Sequence, residues 1–189
     1  VLSADDELPF RPHRILVAGV SGSGKSTLCR RIAAATGIPY TELDGLYHGP
    51  GWTPQPEFAQ NVERITAAPD WVSEWQYRSV RQMLLQRADL LVWLDPPFRV
   101  TLAQVIGRTV RRRVRRQVLW NGNTEPPLHT VFTDREHIVR WAIRTRRKLR
   151  VRIPPLEWEP DAPVVVRIRS RRQAVRWVSG PLKRAMRAG

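Results

Sequence analysis

Two short runs of this chain are apolar without a break. Arg14-Ile15-Leu16-Val17-Ala18 and Leu90-Leu91-Val92-Trp93-Leu94 read as strands buried on both faces of a parallel sheet. Tyr40-Thr41-Glu42-Leu43, ending at Asp44, reads as a short strand, and Trp71-Val72-Ser73-Glu74 and Val164-Val165-Val166-Arg167-Ile168 as two more. Between them the apolar period lengthens to that of a helix. Thr27 to Ala35 is closed by Gly37 and Pro39, and Glu57 to Ala67 carries Phe58, Val62 and Ile65 on one side. Ser79 to Arg87 follows. Phe98 to Gln117 repeats Leu102, Val105, Ile106, Val110 and Val114 with arginines on the other faces. Leu119 to Thr133, with Asn121-Gly122-Asn123 and Pro126-Pro127, is expected to be irregular; Asp134 then caps a helix running to about Arg150, and Arg171 to Val178 closes the chain. Strands alternating with helices predict one α/β domain of three layers around a parallel sheet.

The turn after the first strand changes the picture most. Gly19-Val20-Ser21-Gly22-Ser23-Gly24-Lys25-Ser26 fits G-x-x-x-x-G-K-[ST]. Glycines let the backbone curl so that several N–H groups face one concavity, where a polyphosphate fits. Lys25 reaches the β- and γ-phosphates, and the Ser26 hydroxyl is placed to ligate Mg²⁺. Strand, Gly-rich turn and helix N-terminus are the setting this motif requires. Gly19, Ser21, Gly22, Ser23, Gly24, Lys25, Ser26 and Thr27 are therefore the expected nucleotide-binding set, with Thr27 toward the α-phosphate and ATP with Mg²⁺ as the ligands. At Gly24 a side chain is expected to collide with the phosphate or force a disallowed φ.

Composition narrows the class. No apolar run approaches the ~18 residues of a membrane span, and the acidic start, Val1 to Glu7, lacks a signal-peptide layout. Cys29 is the single cysteine among 189 residues, which excludes an internal disulfide framework and a cysteine-based zinc cluster. A cytoplasmic protein is expected. The net charge of +15 is unevenly placed: residues 1–95 hold 9 Lys+Arg against 11 Asp+Glu, and residues 96–189 hold 23 against 6. Such a basic half suits a nucleic-acid surface, or arginines closing over phosphates among solvated helix faces.

Several stretches together resemble the P-loop kinases of the adenylate, shikimate and gluconate kinase type, and most of all the bacterial adenylate kinase-like or DNA topology modulation (FlaR-like) group. They are Gly19 to Leu28, Leu43-Asp44-Gly45-Leu46 with Gly49 to Pro54, Tyr77-Arg78-Ser79-Val80-Arg81, Val92 to Asp95, Leu119 to Asn123, and Arg167 to Ser170. The resemblance spans about residues 14–178. It implies a P-loop NTPase fold with a five-stranded parallel sheet, order 2-3-1-4-5, and an Arg-rich helical lid over about 108–135, between tails at 1–13 and 179–189. Where that group shows Asp-Gly-Asn-Tyr-Arg, this chain has Glu74-Trp75-Gln76-Tyr77-Arg78. The departure falls on the acceptor pocket rather than on the ATP site.

The remaining candidates follow from the sheet edge and the resemblance. Asp44 is expected at the C-terminal end of the second strand, where ligands of open α/β sheets collect. In related kinases an acid there meets the acceptor hydroxyl; an Asx-turn is the structural alternative. His48 and Trp52 could line the acceptor pocket or simply pack on the domain. The resemblance gives Arg78 to the acceptor or its phosphate. Glu74 and Asp95 both end strands beside the phosphate loop, and either could hold Mg²⁺. Arg108, Arg112, Arg113 and Arg116 open the expected lid, just before its loop, with Arg112 and Arg116 taken as clamps on the transferring phosphate and the others as solvated.

A kinase acting on a nucleotide, nucleoside or polyol-like acceptor is the leading expectation. A nucleic-acid-associated ATPase using the basic half, and a member that binds ATP without turnover, are the alternatives.

Overall fold

The computed structural model describes residues 1–115, 117–124, 138–145 and 147–188. Four parallel strands form the sheet: β1 (Arg14–Gly19), β2 (Trp71–Glu74), β3 (Leu90–Leu94) and β4 (Val164–Ile168), in the order β2-β1-β3-β4. The α-helices are α1 (Lys25–Thr36), α2 (Leu43–Tyr47), α3 (Phe58–Thr66), α4 (Arg81–Arg87), α5 (Phe98–Val114), α6 (Ile138–Thr145), α7 (Lys148–Arg152) and α8 (Arg171–Trp177), with a last short one at Lys183–Ala185 and 3-10 turns at Pro50–Trp52, Trp120–Gly122 and Pro154–Trp158.

Alternation along the strands builds two cores. Ile15 and Val17 face α1 and the C-terminal helices, packing with Leu28, Ile32, Val92 and Trp177. Leu16 and Ala18 face the other way, toward Phe58, Val62, Leu84 and Ile153. Both faces of the sheet are covered, as its unbroken apolar strands require.

The expected fifth strand is not formed. Tyr40 alone bridges, parallel to Val72, through Val72 N–H to Pro39 O at 2.9 Å and Thr41 N–H to Val72 O at 3.1 Å. Pro39 has no N–H to extend the ladder, and four residues later Leu43 turns into α2, burying its side chain on the α3 side. The other four strands keep the expected order. Asp44 consequently sits in the first turn of α2, not at a strand end.

Three helices also differ from expectation. In α5 the buried positions are Thr101, Val105 and Thr109, while Ile106 and Val110 are exposed and Val114 is 74% exposed. The helix backbone comes against the phosphate loop there, and a close approach favours small hydroxyl side chains over long apolar ones. The single helix expected up to Arg150 is seen as α6 and α7; Asp134, its expected cap, lies outside the described residues.

Neither expected tail is a free end. Leu2 bridges β4, its N–H donating to Val165 O at 2.7 Å, and Ala4 is buried. After α8, capped by Ser170, residues 178–185 continue through a wide turn that buries Pro181, Leu182 and Ala185. Among the described residues no helix is long and apolar enough to cross a membrane.

Candidate active site

The loop from Gly19 to Ser26 joins β1 to α1, and its shape rests on glycine at two points. Gly22 has φ +76°, and a Cβ there would lie 2.5 Å from Thr101 O and 2.6 Å from a Val105 methyl. Gly24 has φ +94° with open space around it, so conformation rather than collision is its constraint within the chain. Gly24 is also the N-cap of α1 and offers no side-chain cap. The first intrahelical bond runs from Leu28 N–H to Gly24 O at 2.9 Å, which leaves the N–H groups of Lys25, Ser26 and Thr27 without helical acceptors. Beside them, the Ser23 hydroxyl is buried and makes no hydrogen bond among the described residues. Uncapped N–H groups, a lysine and a spare hydroxyl in one turn fit a polyphosphate.

Glu74 ends β2, the strand hydrogen-bonded to β1, and is 1% exposed. Its Oε1 accepts from the Tyr40 hydroxyl at 2.9 Å. Burial, then the Glu74 charge, pushes the Tyr40 phenol well above its ordinary range. The Cys29 thiol is pushed up for the same two reasons, so it is held protonated and serves as packing.

Asp95 ends β3 and is committed elsewhere. Arg150 Nε donates to its Oδ1 at 2.8 Å, and Arg167 donates to its Oδ2 through both Nη2 and Nε. The Arg167 guanidinium also lies 4.5 Å from the Trp93 ring centroid. The two acids that sequence could not separate are thus in different states: one meets a neutral phenol, the other two cations.

Asp44 is brought to the end of β2 by α2. Its Oδ1 accepts from Gln76 Nε2 at 2.7 Å and from the Tyr77 hydroxyl at 2.6 Å, while Oδ2 has no hydrogen bond among the described residues. One oxygen is anchored and the other is left for a ligand. His48 Nε2 lies 3.2 Å from the Tyr77 oxygen. Because the Tyr77 proton goes to Asp44, Nε2 must be the donor in that contact. Burial pushes the His48 imidazole below its ordinary pKa, against the opposing pull of Asp44. Tyr77 itself has φ +59°, a left-handed conformation costly for a non-glycine residue. Its ring stacks on Tyr47 at 4.1 Å and meets Phe58 edge-on at 5.0 Å.

Arg78 follows directly and is exposed. With Arg81 and Arg152 it makes a group of guanidiniums none of which has a carboxylate partner among the described residues. Burial, then the charges of Arg152 and Arg78, lowers the Arg81 pKa, and its buried Nε lacks an acceptor. The Arg112 guanidinium lies over the Trp120 ring, 5.6 Å from its centroid. Arg116 lies outside the described residues.

Gln76, Tyr77, Arg81 and Arg152 were not singled out in sequence as partners of this site. Gln76 and Tyr77 lay in the stretch Glu74 to Arg78 that the resemblance gives to the acceptor pocket, and Arg81 ended the matching stretch from Tyr77; Arg152 had no such signal. Among the described residues no three His, Cys, Asp or Glu side chains cluster as metal ligands.

No family model matches the sequence, and no curated protein does. Among solved structures the chain is similar to a gluconokinase from Sinorhizobium meliloti 1021, with 23% identity, TM-score 0.54, and 95% of this chain and 96% of that one covered. It is also similar to a shikimate kinase from Acinetobacter baumannii in complex with shikimate, with 15% identity, TM-score 0.50, and 93% and 94% covered. At these identities the likeness is one of fold: the chain shares the parallel α/β fold of these two kinases.

Proposed function

We propose that the protein is an ATP-dependent kinase of a small acceptor that carries both a hydroxyl and an anionic group, and that it belongs with the FlaR-like group of P-loop kinases. The observation that carries this reading is Asp44: one carboxylate oxygen is pinned by Gln76 and Tyr77 and the other is open, and Arg78, next in sequence to Tyr77, belongs to a group of guanidiniums with no carboxylate partner among the described residues. A pinned carboxylate can orient an acceptor hydroxyl and take its proton, which is the positioning service phosphoryl transfer needs. Arg78, with Arg81 and Arg152 behind it, would hold the acceptor's carboxylate or phosphate, a task suited to the planar guanidinium.

Gly19 to Thr27 would hold the ATP phosphates, with Lys25 balancing charge on the group being transferred. Mg²⁺, when bound, supplies charge neutralisation across the β- and γ-oxygens. Ser26 would ligate it, with Glu74 as the nearby acid; Asp95, bonded through both oxygens to arginines, we assign to holding Arg150 and Arg167. Arg112 and Arg116 remain the candidate phosphate clamps of the segment after α5.

ATP consumption with Mg²⁺, measured with and without pooled nucleoside monophosphates, nucleosides, shikimate and sugar acids, tests the reading. Stimulation by one pool, abolished in Lys25→Ala, is expected. Full transfer by Lys25→Ala would overturn it. Stimulation by duplex DNA alone, falling steeply between 50 and 200 mM salt, would favour the nucleic-acid reading instead.

A further inference from the structure

The loop that lines Asp44, residues 45 to 56, does not hold its own shape. Gly51 and Trp52 are both left-handed, with φ +67° and +61°, which the chain does not adopt in succession without outside support. Within the loop Gly49 N–H reaches Thr53 O at 2.7 Å and Gln55 N–H reaches Tyr47 O at 2.9 Å. His48 N–H also reaches Asp44 O at 3.0 Å and Thr53 Oγ1 donates to Pro50 O at 2.8 Å. The fastenings of Trp52 N–H and Gly49 O come from a segment some seventy residues later.

That segment is a small hairpin. Val118 and Thr124 bridge antiparallel, Leu119 N–H donates to Asn123 O at 2.7 Å, and Asn121 and Gly122 turn the chain with φ +54° and +79°. Asn123 is 4% exposed. Its Nδ2 donates to Gly49 O at 2.9 Å and to Trp120 O at 2.8 Å, while its Oδ1 accepts from Trp52 N–H at 3.0 Å. Asn121 Nδ2 donates to His48 O, and Trp52 Nε1 donates to Thr124 O at 3.3 Å. The fit is close: a Cβ on Gly45 would lie 3.2 Å from Trp120 Cδ1. The hairpin follows α5, whose first turns press on Gly22 of the phosphate loop.

We infer that Asn123, aided by Asn121, is the positioning residue of the acceptor loop: its amide serves as a surrogate strand partner, donating to Gly49 O and accepting from Trp52 N–H. The loop's shape is thereby fixed by the segment that leaves the phosphate-loop side of the molecule. The inference rests on the kinase reading only for what the loop binds; the clasp itself can be tested without it.

Hydrogen exchange followed amide by amide is the first arm. In Asn123→Ala the Trp52 amide should exchange about 10-fold faster, the size expected for losing one buried hydrogen bond, with β1 and β3 unchanged. Asn123→Asp, which keeps the acceptor but sets a carboxylate oxygen against the Gly49 and Trp120 carbonyls, should also speed exchange at Trp52. Unchanged exchange at Trp52 in Asn123→Ala, or an equal rise across β1 and β3, would overturn the inference. Should Asn123→Ala not fold, Asn121→Ala, which removes only the bonds to the His48 and Gly45 carbonyls, is read in the same way over residues 45–55.

Kinetics are the second arm, with gluconate, shikimate and adenosine monophosphate as acceptor probes. For a probe the wild type phosphorylates, Asn123→Ala should raise the acceptor KM about 10-fold and leave the ATP KM within about twofold. A fall in kcat with both KM values unchanged would count against a positioning role. If no probe is phosphorylated, the kinase reading suffers while the exchange result still judges the clasp.

Discussion

The Tyr77 hydroxyl donates to Asp44 Oδ1 at 2.6 Å from a residue whose backbone is left-handed. A strained tyrosine is kept because its ring is clamped by Tyr47 and Phe58 and its hydroxyl meets a carboxylate. Tyr77→Phe keeps the rings and deletes only that bond. A hydrogen bond to a charged group contributes about 1.5–3 kcal/mol, so kcat/KM for the acceptor should fall about 10- to 100-fold. ATP affinity, measured by calorimetry, should not change.

Gly22→Ala should be among the most damaging single-atom additions. The new Cβ meets a main-chain carbonyl at 2.5 Å and must adopt φ +76°. Gly24→Ala carries the conformational cost alone, about 1–2 kcal/mol. Denaturant titration should therefore rank Gly22→Ala below Gly24→Ala in stability, and equal losses would show that α5 yields.

Asp95→Asn tests whether that acid is structural. It leaves Arg150 and Arg167 without a counter-charge at a carboxylate site that is 8% exposed. Because both arginines are partly solvated, the full ~3–5 kcal/mol of a broken buried pair is discounted to about 1–3 kcal/mol. Lost thermal stability with Mg²⁺-dependent ATP binding retained is expected; the reverse pattern would return Asp95 to the metal.

Acid should loosen the Asp44 site through His48. Its folded pKa lies below the ordinary 6.5, so its contribution to stability is complete above about 6.5 and is lost as pH falls through the folded value. In His48→Gln the melting temperature should fall less between pH 7 and 5 than in the wild type. Parallel curves would remove His48 as the source.

Much of the fold was legible because its signals are local. Short apolar runs marked β1 and β3, Val164 to Val166 marked β4, and the glycine spacing marked the phosphate loop. The strand expected at Tyr40 shrank to one bridge because nothing local records that Leu43 has a core to enter from a helix. The α5 stripe was misread for a related reason: helical period finds an apolar face, but Thr101 is inside where the helix backbone meets Gly22 of the phosphate loop. At the site, Asp44, Arg78 and Lys25 could be picked out by type and place. The clasp of Asn123 on Gly49 and Trp52 could not, since it joins side chain to main chain across a separation no period spans.

The contact of Gly22 with Thr101 and Val105 has a thermodynamic consequence. A loop wedged against a helix backbone has already given up its freedom during folding. On the proposed reading, a phosphate arriving there need not order the loop, and that part of the entropy cost of binding is not incurred.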